Sequence, residues 1–394
     1  MQLIQKIFAR RRIIYFIIPI LIISLCWSNI ASAAVTVSQI QFIGQATLPK
    51  GLSFQNTPVG GLSGITYDPK KDLYYAISDD RSEKAPTRFY TLKIDLSTGS
   101  LKNNGVVPVA VTTLLNENGN TFARATSDTE GIAFTSKNTV FVSSEGDAKE
   151  LVNPFIKEFS LSTGKVITTL PIPNKFLPAK NGQYGIRDNL AFENLTITPN
   201  EAKLFTATEN ALIQDGVEAQ PNTSTSCRII QYNLQTQQPE KEYLYQTEPI
   251  SSFLNFTGKF ASGLPDLVAL DDRGNFLSLE RSFTGLGFAI LLFQVSLEGA
   301  DDIGHIDSLL SINSQKIKPV QKKLLLDLRG LEVLLDNIEG LTLGPKLPDG
   351  QRSLILVSDN NFNSLQRTQI LAFKLKIESP LMRVLRRLIP IFQR

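Results

Sequence analysis

Histidine and cysteine are scarce in this chain, and their scarcity excludes several kinds of active site. Among 394 residues there is one histidine, His305, and there are two cysteines, Cys26 and Cys227. A zinc site built on imidazoles needs several histidines, and a serine triad would depend on His305 alone. The chain also lacks the Gly-x-Ser-x-Gly, phosphate-loop and dinucleotide-binding patterns. We therefore expect its chemistry to depend on carboxylates and arginines.

The first 33 residues have the pattern of an export signal. Four basic residues, Lys6 and Arg10 to Arg12, precede an apolar stretch at 13–27, and Ala31-Ser32-Ala33 provides a small-x-small cleavage pattern. Because the stretch is short for a membrane span, we predict cleavage after Ala33, with retention as a membrane anchor as the alternative. The mature chain would then be periplasmic or extracellular.

Removal of that segment changes both the charge and the cysteine content. The segment carries four basic residues and no acid, so the formal charge falls from +3 to −1. A basic face for nucleic acid is therefore not predicted. Cys26 is removed as well, which leaves Cys227 without an intramolecular disulfide partner.

A short phrase occurs five times and indicates a repeat fold. Each copy opens an apolar strand at a small or acidic residue and closes a second strand near an acid. The copies span residues 61–80, 129–147, 192–210, 264–281 and 338–360, and their anchor residues, Ser63, Glu130, Glu193, Asp266 and Glu339, are 63 to 73 residues apart. Hairpins at such a period predict an all-β propeller of four-stranded antiparallel blades. Five blades are counted, and insertions leave a sixth open.

The last unit shows three strands where the others show four. Residues 38–48 have the pattern of a strand without a neighbouring partner, so we predict that they complete the last blade and close the ring. The propeller domain is expected to span residues 34–380. Residues 381–394 form a basic amphipathic tail with four arginines. Weak contact with anionic membrane lipid, packing on the propeller and fraying are all open for this tail.

The recurrent acids are expected to meet at one mouth of the central channel, because the first strand of a propeller blade lines that channel. Carboxylates grouped in this way suit a hard cation such as Ca²⁺. The alternative is a local role for each acid in a turn or at a strand end. Arginines stand beside several acids, at Asp80-Arg81, Arg187-Asp188 and Glu280-Arg281. They suit either anionic substrate groups or structural ion pairs.

Three segments resemble the phytase-like domain of exported bacterial proteins, a family often labelled by the esterase-like activity of phytase. They are residues 128–134, 185–195 and 337–341, and the resemblance extends over residues 60–375. The sequence departs from the usual Glu-Gly at Glu193-Asn194 and at Pro265-Asp266. The resemblance implies a β-propeller that hydrolyses phosphate or other esters, with Ca²⁺ as a cofactor.

The predicted function is thus an exported, divalent-metal-dependent hydrolase of a small anionic or ester substrate. The expected catalytic residues are Glu130, Glu193 and Arg187. The expected substrate-binding residues are Arg81, Arg88 and Arg281. The expected metal ligands are Glu130, Glu193, Glu209, Glu339 and Asp359. Two alternatives are a lactonase-like hydrolase and a non-enzymatic propeller that binds a carbohydrate, a peptide or an envelope ligand. The oligomeric state is left open.

Overall fold

The structure is a computed structural model that describes residues 35–250, 260–283, 285, 287–312 and 316–378. The predicted signal segment, the basic tail and the domain bounds at 34 and 380 lie outside these residues. Within them the regular structure consists of β-strands and three short 3₁₀ turns, at Asn174–Phe176, Ile213–Asp215 and Leu328–Gly330. None of the described helices is long and apolar enough to cross a membrane.

Five four-stranded antiparallel sheets form the blades. Blade 1 contains β4 (Leu62–Asp68), β5 (Leu73–Ser78), β6 (Arg88–Ile94) and β7 (Val106–Thr113). Blade 2 contains β8 (Thr129–Thr135), β9 (Thr139–Ser144), β10 (Phe155–Ser160) and β11 (Val166–Leu170). Blade 3 contains β12 (Thr196–Ile197), β13 (Lys203–Ala207), β14 (Ser226–Asn233) and β15 (Gln238–Gln246). Blade 4 contains β16 (Ala261–Ala269), β17 (Asn275–Phe283), β18 (Phe288–Ser296) and β19 (Gln321–Asp327). Blade 5 contains β20 (Ile338–Lys346), β21 (Arg352–Ser358), β22 (Gln369–Glu378) and β1 (Thr36–Thr47). A small hairpin of β2 (Ser53–Phe54) and β3 (Thr57–Pro58) precedes blade 1.

The first strands of the blades form a closed ring. Strand β4 contacts β8 and β20, β12 lies between β8 and β16, and β16 contacts β20. The five-bladed propeller is therefore confirmed for the described residues. Strand β1 lies beside β22 as the outermost strand of blade 5, which confirms the predicted closure by the N-terminal strand.

The chain divides into two compact units. One unit, Gln39–Lys376, contains the blades. The other consists of Met1–Ser38 and Ile377–Arg394, and the structure describes only residues 35–38 and 377–378 of it.

The hydrophobic core lies between neighbouring blades. Successive residues of a strand face opposite sides of its sheet, so Tyr74 and Ala76 of β5 pack toward blade 5, whereas Tyr75 and Ile77 pack toward blade 2. Similar clusters fill the spaces between blades 2 and 3 and between blades 3 and 4. Because the inner strands are packed from both sides by these clusters, the ends of the inner strands have fixed positions around the channel.

Glycines in the first strands let these strands approach one another closely. A Cβ atom added at Gly64 would lie 2.4 Å from the carbonyl oxygen of Glu130 in the next blade. One added at Gly340 would lie 2.7 Å from the carbonyl oxygen of Ser63. Any side chain at these positions would push the strands apart. The Glu-Gly pairing of the repeat therefore places an acid beside a blade-to-blade contact.

Candidate active site

A cavity of about 570 Å³ opens at the mouth of the channel where the first strands begin. Five carboxylates contribute to its lining, those of Asp79, Glu130, Glu193, Glu339 and Asp359. The remaining lining residues are Asn189, Ala261, Arg281, Phe283, Phe288, Asn337, Asn361, Asn363, Leu365 and Gln366. The three opening acids at positions 130, 193 and 339 thus share one cavity, as expected from the repeat. The catalytic and metal-binding roles assigned to them stay predictions.

Three carboxylates from two adjacent blades are grouped closely enough to hold a metal ion. Asp79 follows β5 of blade 1, while Asp128 and Glu130 lie at the start of β8 in blade 2. One oxygen of each lies within 4.8 Å of the others. Oδ1 of Asp79 is buried and has no hydrogen-bond partner among the described residues. Carboxylate oxygens are the ligands that hard divalent cations prefer. We call Asp79, Asp128 and Glu130 the acid triad.

Arg81 holds one member of the acid triad in place. Its Nε donates to Oδ1 of Asp128 at 2.7 Å, its Nη2 pairs with the other oxygen, and Nη2 also donates to Oδ1 of Asn189 at 2.6 Å. This bidentate arrangement fixes the orientation of the Asp128 carboxylate. Arg81 was expected to bind substrate. The structure places its guanidinium on the acid triad instead, outside the residues that line the cavity.

Burial and mutual repulsion raise the pKa values of the acid triad. The pKa of Asp79 is raised well above its usual value by burial, and then by the charges of Asp128 and Asp359. The pKa of Glu130 is raised well above its usual value by burial, and then by Asp79 and Glu193. Hydrogen bonding between the two side chains raises the pKa of Asp79 further and acts to lower that of Asp128, as expected if Asp79 is the member of the pair that carries the proton. In the absence of a cation, these effects favour the protonated forms of the acid triad.

Arg281 provides positive charge on another side of the cavity. Its Nη2 donates to Oε1 of Glu209 at 2.8 Å, and its Nη1 donates to Oδ1 of Asn337 at 2.7 Å and to Glu339. These bonds fix a guanidinium that also lines the cavity. Glu209, an expected metal ligand, is therefore occupied as an ion-pair partner and is absent from the lining.

Glu193 and Glu145 differ from these paired acids. The pKa of Glu193 is raised well above its usual value by burial, and then by Glu209, Glu145 and Glu339, against the opposing charge of Arg281. Among the described residues none donates a hydrogen bond to the carboxylate of Glu193. Glu145 accepts a hydrogen bond from the backbone N–H of Ala191, and its Oε2 is buried without a described partner. Both side chains are thus set up to keep a proton.

Negative charge exceeds positive charge around this mouth. Eight buried or nearly buried acids influence one another electrostatically, namely Asp79, Asp128, Glu130, Glu145, Glu193, Glu209, Glu339 and Asp359. Within the described part of the chain, Arg81 and Arg281 are the arginines that pair with them. Protons, bound cations or both must balance the remaining charge.

The backbone around the cavity adopts conformations that are unfavourable for residues with a side chain. Arg81, Asn189, Asn361 and Phe362 have φ angles between 47° and 56°. Left-handed conformations of residues other than glycine tend to concentrate at functional sites, where the surrounding structure imposes them. Two of the four, Asn189 and Asn361, line the cavity.

Arg88 lies away from the cavity. It is fully buried in blade 1, pairs with Asp80 and donates to the hydroxyl of Tyr90 at 2.7 Å and to the carbonyl oxygen of Pro58 at 2.9 Å. A guanidinium without exposure cannot contact a substrate. Arg88, one of the expected substrate-binding residues, instead holds the β2–β3 hairpin against the blade.

Arg187 also lies outside the lining of the acid cavity. Its Nε donates to the carbonyl oxygen of Ala211 at 2.9 Å, its Nη2 donates to that of Gly216 at 2.6 Å, and it pairs with Glu218 at 3.2 Å. These bonds fasten the insertion after β13. The expected catalytic role has no support from this position.

The sequence repeat is offset by one residue in blade 4, and the structure corrects it. Asp266 accepts hydrogen bonds from the N–H groups of Leu341 at 2.7 Å and Leu267 at 2.8 Å, so it joins blades 4 and 5. Glu280 pairs with Lys322. In blades 1 and 5, Gly64 pairs with Ile77 and Gly340 pairs with Val357, and Asp79 and Asp359 follow two residues later. In blade 4, Asp266 pairs with Leu279, so the residue at the equivalent position is Arg281.

Asp79, Asp128 and Asn337 are the site residues that the sequence reasoning missed. Asp128 and Asn337 belong to the family-like segments, and Asp79 lies in the first copy of the repeated phrase, next to the Asp80-Arg81 pair. These segments therefore contained the three residues, but the sequence did not indicate which of their side chains point into the cavity.

The fold and site together define a class, a five-bladed propeller with a carboxylate-lined cavity at one mouth of its channel. The family model described as "Phytase-like: Esterase-like activity of phytase" matches residues 57–362. Because the match covers more than half of the chain, this protein belongs to the phytase-like family. A search of curated proteins finds no match.

A comparison with solved structures finds similarity at low sequence identity. The tail fibre of Staphylococcus aureus phage P68 is 10% identical with a TM-score of 0.39, and the similarity covers 86% of this chain and 52% of that chain. The chain thus spans about half the length of the phage protein. An endo-arabinase from Bacteroides thetaiotaomicron is 13% identical with a TM-score of 0.40, covering 83% and 96% of the two chains.

Proposed function

We propose that this protein hydrolyses phosphate or other esters in the cavity at the channel mouth, with the help of a divalent cation. The observation that carries the proposal is the acid triad, in which three carboxylates from two blades bring oxygens within 4.8 Å of one another beside that cavity. Membership in the phytase-like family supports a hydrolase of this kind.

The residues of the acid triad fit a hard cation, for which Ca²⁺ is our proposed identity. All three provide carboxylate oxygens, one of which is buried without a partner, and acids outnumber arginines around them. When bound, such a cation supplies a Lewis acid that polarises an ester or phosphoryl oxygen and lowers the pKa of water. Of the residues predicted as ligands from sequence, Glu130 belongs to the triad, whereas Glu193, Glu339 and Asp359 line the same cavity.

Glu193 is the proposed proton donor. Burial and the neighbouring acids raise the pKa of its carboxyl group well above the usual value, which favours the protonated form that a general acid for the leaving oxygen needs. Arg281 is the proposed group that balances negative charge developing on the ester, because its guanidinium is fixed at the cavity surface. Each role requires only that the ester lie in the cavity between these side chains.

Activity measurements with and without metal test this proposal. Ester hydrolysis by the purified protein should be lost in excess chelator and restored by Ca²⁺. Glu193→Gln should lower kcat by about 100-fold, the usual contribution of a general acid, and should remove the decline in rate as pH rises through the pKa of Glu193. Glu201→Gln is the control, because Glu201 bonds Ser136 at 2.7 Å, away from this cavity, and does not line it.

The substrate panel separates the alternatives. Phosphate esters, carboxylic esters and lactones are compared at matched concentrations. Turnover of lactones alone identifies a lactonase-like enzyme. Metal binding without turnover of any of these compounds contradicts the hydrolase and leaves a binding propeller.

We also propose that the chain is exported and cleaved after Ala33. The basic start, the short apolar stretch and the Ala-Ser-Ala pattern support this proposal. Amino-terminal sequencing of the protein recovered from the periplasm or medium should begin at residue 34; recovery of the uncleaved chain with membranes points to an anchor. Binding of the 381–394 tail to anionic vesicles is proposed on its four arginines.

A further inference from the structure

We infer that the ester bound in the acid cavity carries an aromatic or similarly apolar group, and that polyanions are poor ligands. This inference rests on the proposed hydrolase function and narrows its substrate class. Two independent features of the cavity support it, an apolar wall beside the acids and the shortage of cationic side chains.

The apolar wall consists of Phe283, Phe288 and Leu365, which line the cavity together. Phe283 ends β17 and Phe288 begins β18, and the two rings pack with centroids 5.2 Å apart. Both are only partly buried, and Leu365 is 87% exposed. Apolar side chains exposed together in a concave site gain free energy when an apolar ligand group covers them.

The apolar wall lies close enough to the charged groups for one ligand to contact both. Arg281 and Phe283 lie two positions apart on β17, so their side chains face the same side of the strand, about 7 Å apart along it. A ring placed against Phe283 therefore brings an ester group that is joined to it directly or through one methylene toward Arg281 and Glu339. The spacing suits one ester bond with its apolar substituent.

The charge of the cavity disfavours a polyanion such as inositol hexakisphosphate. Among the described lining residues, Arg281 is the single cationic side chain, and it is bonded to Glu209, Asn337 and Glu339. A highly phosphorylated ligand needs several arginines or lysines to balance it. Even with one divalent cation on the acid triad, the lining adds a single cationic side chain beside five acids, which is too little positive charge for a ligand with many phosphates.

Matched pairs of esters test the inference. Benzyl phosphate and ethyl phosphate have similar alkoxide leaving groups and differ in the aromatic ring, as do benzyl acetate and ethyl acetate. With Ca²⁺ present, kcat/KM should favour the benzyl ester by at least about tenfold, which corresponds to about 1.4 kcal/mol. Inositol hexakisphosphate should be a poorer substrate than benzyl phosphate.

Variants then locate the source of the preference. Phe283→Ala and Phe288→Ala should each reduce the benzyl-to-ethyl ratio of kcat/KM severalfold. The control is Phe42→Ala, which removes a half-buried ring that packs on Phe373 with centroids 5.5 Å apart and should keep the wild-type ratio. Because both esters are assayed on one sample, a partly unfolded variant still reports its ratio correctly.

The outcomes separate this inference from the proposed function. Ester hydrolysis with equal rates for benzyl and ethyl compounds, or with inositol hexakisphosphate as the best substrate, overturns the apolar-substrate inference and leaves the hydrolase intact. If no ester is hydrolysed, the hydrolase is contradicted, and calorimetric titration with benzylphosphonate and ethylphosphonate decides the inference. Equal affinity for the two phosphonates then overturns it.

Discussion

Replacing Asp79 by asparagine should remove the effect of pH on stability that this carboxyl group imposes. Asparagine has the shape of a protonated aspartic acid, and its Nδ2 can donate to Asp128 as the carboxyl proton does. The variant therefore keeps the hydrogen bond to Asp128 at every pH. It also removes one carboxylate from the acid triad.

The magnitude follows from proton linkage in metal-free protein. The folded-state pKa of Asp79 is raised well above the value of the unfolded chain. Its stabilising contribution is therefore complete below the unfolded pKa and is lost as pH rises toward the folded pKa. When a group keeps its proton in the folded state and releases it on unfolding, the free energy of unfolding falls by about 1.4 kcal/mol for each unit by which the pH rises. From pH 6 to pH 8, Asp79→Asn should gain up to about 2.7 kcal/mol in free energy of unfolding relative to wild type.

Calcium should act in the opposite direction and stabilise the wild type more than Asp79→Asn. At free Ca²⁺ 100 times its dissociation constant, the wild type gains about 2.7 kcal/mol. The variant should gain less at the same concentration, because it lacks one ligand charge. The assay is urea unfolding followed by far-ultraviolet circular dichroism at pH 6, 7 and 8, in chelator and in Ca²⁺.

A surface aspartate provides the control. Asp349 accepts a hydrogen bond from Lys374 at 2.9 Å, and this bond lowers its pKa. Its contribution is therefore lost only as pH falls through that lowered pKa, and Asp349→Asn should shift stability by a constant amount between pH 6 and 8. Equal pH slopes for wild type and Asp79→Asn in chelator would refute the linkage argument, and equal stabilisation of both by Ca²⁺ would refute the metal site.

Three further substitutions test structural claims. Arg88→Ala should lower the free energy of unfolding by about 3–5 kcal/mol, because it leaves the buried charge of Asp80 unpaired; a loss below about 1 kcal/mol in urea unfolding contradicts a buried pair. Gly64→Ala should lower the free energy of unfolding by about 1–3 kcal/mol, because the added methyl group overpacks against the Glu130 carbonyl, and it should weaken Ca²⁺ binding measured by calorimetry. A wild-type affinity for Ca²⁺ would show that this contact does not influence the acid triad. Arg187→Lys should lower the melting temperature while kcat/KM per folded molecule is kept, because the lost fork fastens backbone carbonyls; reduced kcat/KM with an unchanged melting temperature restores the catalytic assignment.

The sequence by itself determined the architecture, because the repeated phrase is a local pattern. Apolar strands, turns and a period of 63 to 73 residues specify one blade each, and a propeller needs one closing strand. The missing fourth strand of the last unit and the unpaired pattern at residues 38–48 therefore predicted β1 in blade 5. Local patterns also indicated that Glu130, Glu193 and Glu339 begin equivalent strands, so their convergence could be expected.

Only the tertiary structure decided which side chain of each pair faces the cavity. Side chains alternate along a strand, and a shift of one residue turns the whole set to the other face. The first strands of blades 1, 2, 4 and 5 each contain an irregular register near the opening residue, and such bulges leave no clear mark in the sequence. For this reason Asp79 lines the cavity and its neighbour Asp80 does not, and Arg281, already expected from the sequence to bind substrate, lines it while Glu280 does not.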